Sequence, residues 1–245
     1  MTGRLPLLTL LLTTFLALTA CTRLSGKPAP GTEVPRPDSV LDPIVLYSQN
    51  CAGCHGADGR KGPAMDLSDP VYLAIVDDDT LRSTISKGRP GTAMSAFAQK
   101  EGGMLTDEQV NAIIRGIRER WSKPNVLVNV AVPFYAAKTP GNPQQGQAVY
   151  ATYCASCHGE GEKGGPKAGS VTNPSYLSLI SDQGLRTIVI AGRPDFGAPD
   201  WRGNANGHPM GEQEITDVVA WLIAQRPTKP TQAASANTSS PGGIH

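Results

Sequence analysis

The chain has 245 residues, of which 39% are hydrophobic and 5% aromatic, and a formal net charge of +1 at pH 7. This length allows one or two compact domains, each of them small. Charge is balanced along the chain, because residues 41–124 carry 10 Lys or Arg against 11 Asp or Glu, and residues 125–226 carry 7 against 8. Neither half has the basic excess typical of nucleic-acid binding, so we expect no nucleic-acid partner.

Residues 1–20 have the pattern of a signal peptide. Arg4 precedes an apolar run from Leu5 to Leu18, which is shorter than the roughly 20 residues of a membrane-spanning helix. The run ends in the sequence LTAC, at Cys21, and this ending resembles the bacterial lipobox. The resemblance implies that Cys21 is lipidated and anchors the protein to a membrane. The protein would then be periplasmic or lie on the outer face of that membrane. An ordinary cleaved signal peptide with an unrelated cysteine is the alternative.

Residues 21–40 follow as a tether that contains four prolines among Gly, Ser and Thr: Pro28, Pro30, Pro35 and Pro37. Such a composition predicts a stiff, extended segment with little to bury. At the other end, residues 227–245 are rich in Ser, Ala, Asn and Gly, and we expect them to be disordered.

Two thiols followed by an imidazole occur twice at the same spacing, as Cys51-Ala-Gly-Cys54-His55 and, 103 residues later, as Cys154-Ala-Ser-Cys157-His158. This is the c-type haem attachment pattern, in which both sulfurs of one helical turn bond the haem vinyl groups and the histidine binds the iron. A redox dithiol or half a zinc site would leave both histidines unexplained. The sequence therefore predicts two covalent haems c, with His55 and His158 as iron ligands.

The similarity between the two halves extends well beyond these motifs. Three further stretches align, the last after one inserted residue: Tyr47 with Tyr150, Gly62-Pro63 with Gly165-Pro166, and Gly88-Arg89-Pro90 with Gly192-Arg193-Pro194. A gene duplication explains this repeat. We predict two domains, called here the first module (41–124) and the second module (125–226).

The sequence predicts a series of helices in each module. Four of the predicted helices begin with a capping side chain followed by a proline, and the capping residues are Asp42, Asp69, Asn142 and Asn173. A helix over about 80–87 should end at Gly88, and its copy at Gly192, with glycine in the left-handed conformation. A capping box over residues 106–109 should open the last helix, whose apolar face recurs in the second module: Val110, Ile113, Ile114 and Ile117, then Ile215, Val218, Val219 and Leu222. No strand alternation stands out, so the predicted fold class is all-α.

The order of these features resembles that of class I cytochrome c domains, over about residues 42–226. The resemblance implies two tandem cytochrome c domains, each a few helices around one covalently bound haem. It also implies that the carbonyl groups of Pro63 and Pro166 accept a hydrogen bond from the proximal imidazoles. Met65 would then be an apolar packing residue.

By the same resemblance, the sixth ligand of the first haem is Met94, which lies between Gly88 and the last helix. Histidine and thioether ligation together are typical of electron carriers, since they leave no open site on the iron. Met104 is the competing candidate. It lies beside the capping box, where an apolar residue commonly packs the loop against the helix.

In the second module this pattern fails, because Ala198 aligns with Met94 and alanine cannot bind iron. Met210 and His208 are the remaining candidates, both in a stretch just before the last helix. Met210 aligns with Leu105, a packing position. We expect Met210 to be the sixth ligand, with His208 and an open iron as the alternatives.

Two functions fit this sequence. The first is a membrane-tethered dihaem electron carrier, not an enzyme, that passes single electrons from a quinol-oxidising complex to an acceptor such as a terminal oxidase or another haem protein. The second is a haem enzyme or ligand sensor that uses an open position on the second iron. Apart from the two haem-motif histidines, the histidines are His208 and His245, the latter in the predicted tail, so few general acids or bases could support catalysis.

Overall fold

The structure is a computed structural model and describes residues 31, 34–160, 163–203 and 208–227. The predicted signal peptide, Cys21, His245 and nearly all of the predicted tail lie outside the described residues. The described residues up to Val40 and those from Leu41 onward belong to two separate units. In the described part of the first unit, Pro37–Ser39 form a single 3-10 turn. Both modules lie in the second unit, and the predicted boundary between them at residue 124 stays a prediction.

Ten α-helices follow one another in the described residues. Those of the first module are α1 (Pro43–Asn50), α2 (Ala52–His55), α3 (Pro70–Ile75), α4 (Asp78–Lys87) and α5 (Asp107–Trp121). Those of the second module are α6 (Pro143–Tyr153), α7 (Ala155–His158), α8 (Pro174–Leu179), α9 (Asp182–Ala191) and α10 (Glu212–Ala224).

Across the ranges that the structure describes, only two isolated β-bridges occur and no strand forms. The predicted all-α fold class is therefore confirmed. In the same ranges, no helix combines the length and the apolar character needed to cross a membrane.

The predicted helix starts are confirmed. The carboxylate of Asp42 accepts hydrogen bonds from the backbone N–H groups of Ile44 and Val45 at 2.8 and 3.3 Å. Asp69, Asn142 and Asn173 cap α3, α6 and α8 in the same way. Each cap is followed by proline, which needs no hydrogen-bond partner at the first helical position. The capping box of α5 is present as well, with both of its hydrogen bonds.

The predicted left-handed ends of α4 and α9 are wrong in detail. Gly88 and Gly192 have φ of 66° and 74°, but ψ of −163° in both, which lies outside the left-handed helical region. The chain leaves each helix in an extended direction that only glycine readily adopts. Space also requires glycine, because a Cβ on Gly88 would lie 2.5 Å from the carbonyl oxygen of Met94.

In each module the first and last helices pack against each other, α1 on α5 and α6 on α10. The predicted apolar faces of α5 and α10 are all buried. In the second module the two helices approach very closely at Gly146, where an added Cβ would lie 2.0 Å from the carbonyl oxygen of Asp217. This contact allows Tyr150 and Trp221 to stack with ring centroids 4.4 Å apart.

The two modules pack against each other within their unit. Helix α3 of the first module contacts α9 of the second. The segment between α5 and α6 is fixed at several points, since Gln183 donates to the carbonyl of Tyr135 at 2.7 Å and the Phe134 N–H donates to Glu212 at 3.0 Å. From the first module, Arg89 donates to the Tyr135 hydroxyl at 3.0 Å. The connection is therefore anchored to both modules.

Replacement of Gly146 tests the helix contact. We expect Gly146→Ala to lower the free energy of unfolding by about 1–3 kcal/mol, because the new methyl group overlaps the backbone of α10. Thermal or denaturant unfolding of the haem-loaded protein measures the loss. Gly53→Ala is the matched control, since Ser156 holds the equivalent position of the second motif and a side chain is therefore tolerated there. Equal stability of the two variants would contradict the close contact.

Candidate haem-binding sites

Each attachment motif occupies a short helical turn at the end of the first helix of its module. Cys51 ends α1 and caps α2, and its backbone N–H donates to the Tyr47 carbonyl at 2.8 Å. Cys154 has the same role between α6 and α7, with its N–H 2.9 Å from the Tyr150 carbonyl. The turn therefore continues each helix, and it brings both sulfurs of a motif onto one short segment.

None of the four motif cysteines is joined to another in a disulfide. Burial, and to a smaller extent the neighbouring thiol, raises the pKa of Cys51 to about 12 and that of Cys154 to about 11. A redox-active dithiol needs the opposite, a thiol with a lowered pKa. In the part of the chain that the structure describes, no group of three or more His, Cys, Asp or Glu side chains could hold a metal ion. The raised thiol pKa values therefore do not support the redox interpretation.

The motif histidines are fixed by hydrogen bonds to backbone carbonyl groups. Nδ1 of His55 lies 2.7 Å from the Met65 carbonyl oxygen, and Nδ1 of His158 lies 2.7 Å from that of Gly169. Because a carbonyl oxygen only accepts, Nδ1 of each ring carries the proton. Nε2 is then the nitrogen with a lone pair, as an iron ligand requires.

Burial lowers the pKa of His55, while its hydrogen bond to Met65 opposes the shift and the positive charge of Arg193 adds to it. The net effect favours the neutral imidazole. A neutral ring is the form that binds a metal.

The prediction that Pro63 and Pro166 accept these hydrogen bonds is wrong. The acceptors are Met65 and Gly169, which follow the prolines by two and three residues. The acceptors lie beyond the prolines because the loop after each proline folds back onto the attachment turn. Ala64 N–H donates to the Cys54 carbonyl at 3.0 Å, and Ala168 N–H donates to the Cys157 carbonyl at 3.1 Å. These paired bonds place the residue inserted in the second module between Pro166 and Ala168.

Glycine precedes each proline because the loop lies directly on the attachment turn. A Cβ on Gly62 would lie 2.2 Å from the Cys54 carbonyl oxygen, and one on Gly165 would lie 2.2 Å from that of Cys157. Glycine is required here because two backbone segments approach closely, and not because of an unusual backbone conformation. This close approach brings the acceptor carbonyl to the histidine ring.

Two tyrosines to which the sequence pattern gave no role support the haem-binding sites. The Tyr47 hydroxyl donates to the Gly56 carbonyl at 2.9 Å, and the Tyr150 hydroxyl donates to the Gly159 carbonyl at 2.6 Å. Both acceptors directly follow the motif histidines, so each tyrosine ties the first helix to the end of the turn. Their alignment at the same offset as the motifs was the available signal.

Met94 lies in the loop after α4 and is partly buried. Its carbonyl oxygen accepts from the Arg89 N–H at 2.9 Å, and the Ala198 carbonyl accepts from the Arg193 N–H at 3.0 Å. Because Arg89 and Arg193 are equivalent in the repeat, Met94 and Ala198 occupy the same backbone position. This matching hydrogen bond supports the alignment that puts alanine opposite Met94.

Met104 does not pack the loop against α5 as predicted, because 78% of its surface is exposed. Leu105, the residue directly before the Thr106 cap, is buried instead, which is the usual position of such a packing residue. Met65 is partly buried, and its backbone carbonyl is the acceptor for His55.

In the second module, Met210 is equivalent to Leu105. It directly precedes the Gly211 cap of α10, is partly buried, and its N–H donates to the Trp201 carbonyl at 3.0 Å. His208 is exposed, and both of its ring nitrogens lie 3.0–3.1 Å from the Tyr153 hydroxyl. The structure thus places both candidate ligands of the second haem just before α10, with His208 beside the end of α6.

These features fit the predicted cofactor at both motifs. Each has two unpaired thiols on one turn and a histidine whose tautomer leaves Nε2 available. The chain binds two covalent haems c, through Cys51 and Cys54 and through Cys154 and Cys157.

Comparison with protein families supports this assignment. Residues 40–115 and 141–222 each match the family described as cytochrome c oxidase, cbb3-type, subunit III. The two matched segments contain the two motifs, one in each.

Individual relatives are similar at low identity. The chain is 29% identical over 134 residues to the cbb3-type cytochrome c oxidase subunit CcoP of Azospirillum sp. (strain B510), covering 50% of this chain and 40% of that protein. It is 32% identical over 154 residues to CcoP of Rubrivivax gelatinosus, covering 62% and 45%. Cytochrome c55X of Stutzerimonas stutzeri is 32% identical over 88 residues, covering 35% and 70%. The chain spans about half the length of the CcoP relatives.

Among solved structures, a reducing HAO-like protein complex from Kuenenia stuttgartiensis matches with a TM-score of 0.47 and 18% identity, over 79% of this chain and 100% of that chain.

Proposed function

Because this chain belongs to the cbb3-type cytochrome c oxidase subunit III family, we propose that it is a membrane-tethered dihaem electron carrier. It accepts single electrons from a quinol-oxidising complex and passes them to a terminal oxidase or another haem protein. The observation that carries the proposal is the presence of two complete attachment turns, each with an oriented histidine, in one compact unit.

The bound haem supplies an iron that cycles between two oxidation states one electron apart. The chain holds each haem through its cysteine pair, and we infer that His55 and His158 are the proximal ligands. Packing of α3 on α9 keeps the two modules together, which supports transfer of electrons between them over a short, fixed path.

A carrier needs partners that bind briefly. The nearly balanced charge of both modules gives no strong electrostatic attraction to one partner, which suits weak, short-lived encounters. The relatives named as oxidase subunits support a terminal oxidase as the acceptor.

Electron transfer to an oxidase tests the proposal. Haem-loaded protein reduced by a quinol-oxidising complex should be reoxidised rapidly on mixing with a cbb3-type oxidase and oxygen, because both haems lie on the path between the two. Stopped-flow absorbance of the haem bands measures the rate. Reoxidation no faster with the oxidase than with oxygen alone would contradict a carrier role.

We propose that Cys21 carries the lipid anchor. The lipobox-like ending supports it, since a tether of about 20 residues would let the modules reach a partner near the membrane. In its native host the protein should sediment with membranes, and Cys21→Ser should release it to the soluble fraction, since a serine cannot carry the thioether-linked lipid. Cell fractionation with mass spectrometry of the N-terminus measures this. A soluble native protein with an unmodified N-terminus would refute the anchor.

For the first haem we propose Met94 as the sixth ligand, which its partly buried position supports. Met94→Ala should abolish the near-infrared sulfur-to-iron band of this haem and lower its reduction potential, because the thioether stabilises reduced iron. Met104→Ala is the control, since its side chain is 78% exposed, and should change neither. Loss of the band in Met104→Ala alone would exchange the two roles.

For the second haem we propose Met210, with His208 and an open iron as alternatives. Ala198 at the position of Met94 makes this site different from that of the first haem. This difference is the observation that favours the second candidate function, a haem enzyme or sensor. Met210→Ala should convert a low-spin second haem to high spin, while His208→Ala should not, as absorbance and electron paramagnetic resonance spectra can show. The reverse result would assign His208. Carbon monoxide binding to the unmutated second haem would favour the enzyme or sensor function.

A further inference from the structure

An ion pair of the second module touches the first module beside its haem site. Arg193 binds Asp195 through two N–H to oxygen contacts of 2.9 Å. The same guanidinium donates to the Gly62 carbonyl at 3.1 Å, and the Asp195 carboxylate accepts from the Lys61 N–H at 2.8 Å. Both members of the pair therefore bind adjacent backbone groups of the other module.

The pair is largely shielded from water. The side chain of Asp195 is 1% exposed and that of Arg193 is 14% exposed. Its hydrogen bonds to Arg193 hold the pKa of Asp195 below the usual range despite burial, so the carboxylate is charged at neutral pH. Charges screened this little act on their neighbours more strongly than surface charges do.

The backbone groups that the pair binds belong to the loop that orients His55. Gly62 lies directly on the attachment turn, against the Cys54 carbonyl. Three residues later, Met65 supplies the carbonyl that accepts from Nδ1 of His55. The pair thus holds this loop from the side of the second module.

Within the residues that the structure describes, the equivalent arginine of the first module makes different contacts. Arg89, the repeat equivalent of Arg193, donates to the hydroxyl groups of Tyr135 and Thr84. The residue equivalent to Asp195 is Gly91, which has no carboxylate to form such a pair. Divergence after duplication has therefore given the second module a contact that the first cannot return.

We propose that Arg193 and Asp195 are positioning residues for the first haem, which fix the loop of residues 61–65 on His55 and adjust the reduction potential of that haem by their charges. This inference rests on the haem assignment above and not on the identity of the electron donor or acceptor.

The two charges should act in opposite directions. Reduced iron carries one positive charge fewer than oxidised iron, so a nearby guanidinium raises the potential and a nearby carboxylate lowers it. Arg193→Gln leaves the carboxylate alone and should lower the potential of the first haem. Asp195→Asn leaves the guanidinium alone and should raise it. A merely structural role would displace the potential in the same direction in both variants.

Spectroelectrochemical titration of the full haem-loaded protein measures the two potentials. The waves are assigned with His158→Met, which changes a proposed ligand of the second iron and displaces that wave most. Arg193→Lys keeps the positive charge and should retain a potential near that of the parent protein. Shifts of opposite sign for Arg193→Gln and Asp195→Asn support the proposal, and shifts of equal sign or none overturn it.

A second ion pair offers a matched control. Arg202 and Asp200 of the same module are also two residues apart and in contact at 2.6 Å, and Arg202 donates to the Val126 carbonyl at 3.1 Å. Arg202→Gln and Asp200→Asn change charge identically and should shift the first haem less. Shifts as large as those at residues 193 and 195 would mean that net charge alone is responsible, and would overturn the proposal.

Hydrogen exchange keeps the proposal testable if a variant loads haem poorly. The Lys61 amide should exchange slowly in the parent protein and faster in Asp195→Ala, with no change in Asp200→Ala. Equal exchange in the parent and Asp195→Ala would overturn the contact. Failure here leaves the carrier function intact, because that function is tested by reoxidation through the oxidase.

Discussion

The hydrogen bond between the motif histidine and a backbone carbonyl is the constraint on which each module depends. It joins the attachment turn to the loop that follows, at 2.7 Å in both modules. The bond requires the two backbones to touch, which accounts for glycine at positions 62 and 165. The tyrosine that lies four residues before each motif fixes the other end of the turn by donating to the carbonyl after the motif histidine. Packing of the first helix on the last then holds the whole site in place.

The two modules share these contacts but differ at two positions that would affect electron transfer. The backbone at Met94 and Ala198 is equivalent, yet only one of the two side chains can bind iron. The arginines at 89 and 193 are equivalent as well, yet only the second lies on the neighbouring module's histidine loop. Duplication has preserved the motif histidine with its carbonyl acceptor and has changed the residue at the position of Met94 and the contact between modules. We expect the two haems to have unequal potentials as a consequence.

Local chemistry explains which features could be predicted from sequence. Caps such as Asp42 and the box at Thr106 act within a few residues, and the motif spacing is set by the haem, so helices, cofactor and repeat were all accessible. The acceptor for His55 was misassigned, because it depends on how tightly the loop folds on the turn. Leu105 was correctly given a packing position, whereas Met104 beside it was given one as well and is exposed. Contacts across the repeat, such as Arg193 with Gly62, depend on how the modules pack, and no local pattern encodes that packing.

A dihaem protein of this kind has every motif cysteine bonded to a haem, and this can be measured directly. The protein is produced in a host with haem attachment machinery, then denatured, alkylated and weighed by mass spectrometry. The mass should exceed that of the processed chain by two haems, and alkylation should leave Cys51, Cys54, Cys154 and Cys157 unmodified. A mass with fewer than two haems, or alkylation at either motif, would contradict a dihaem protein.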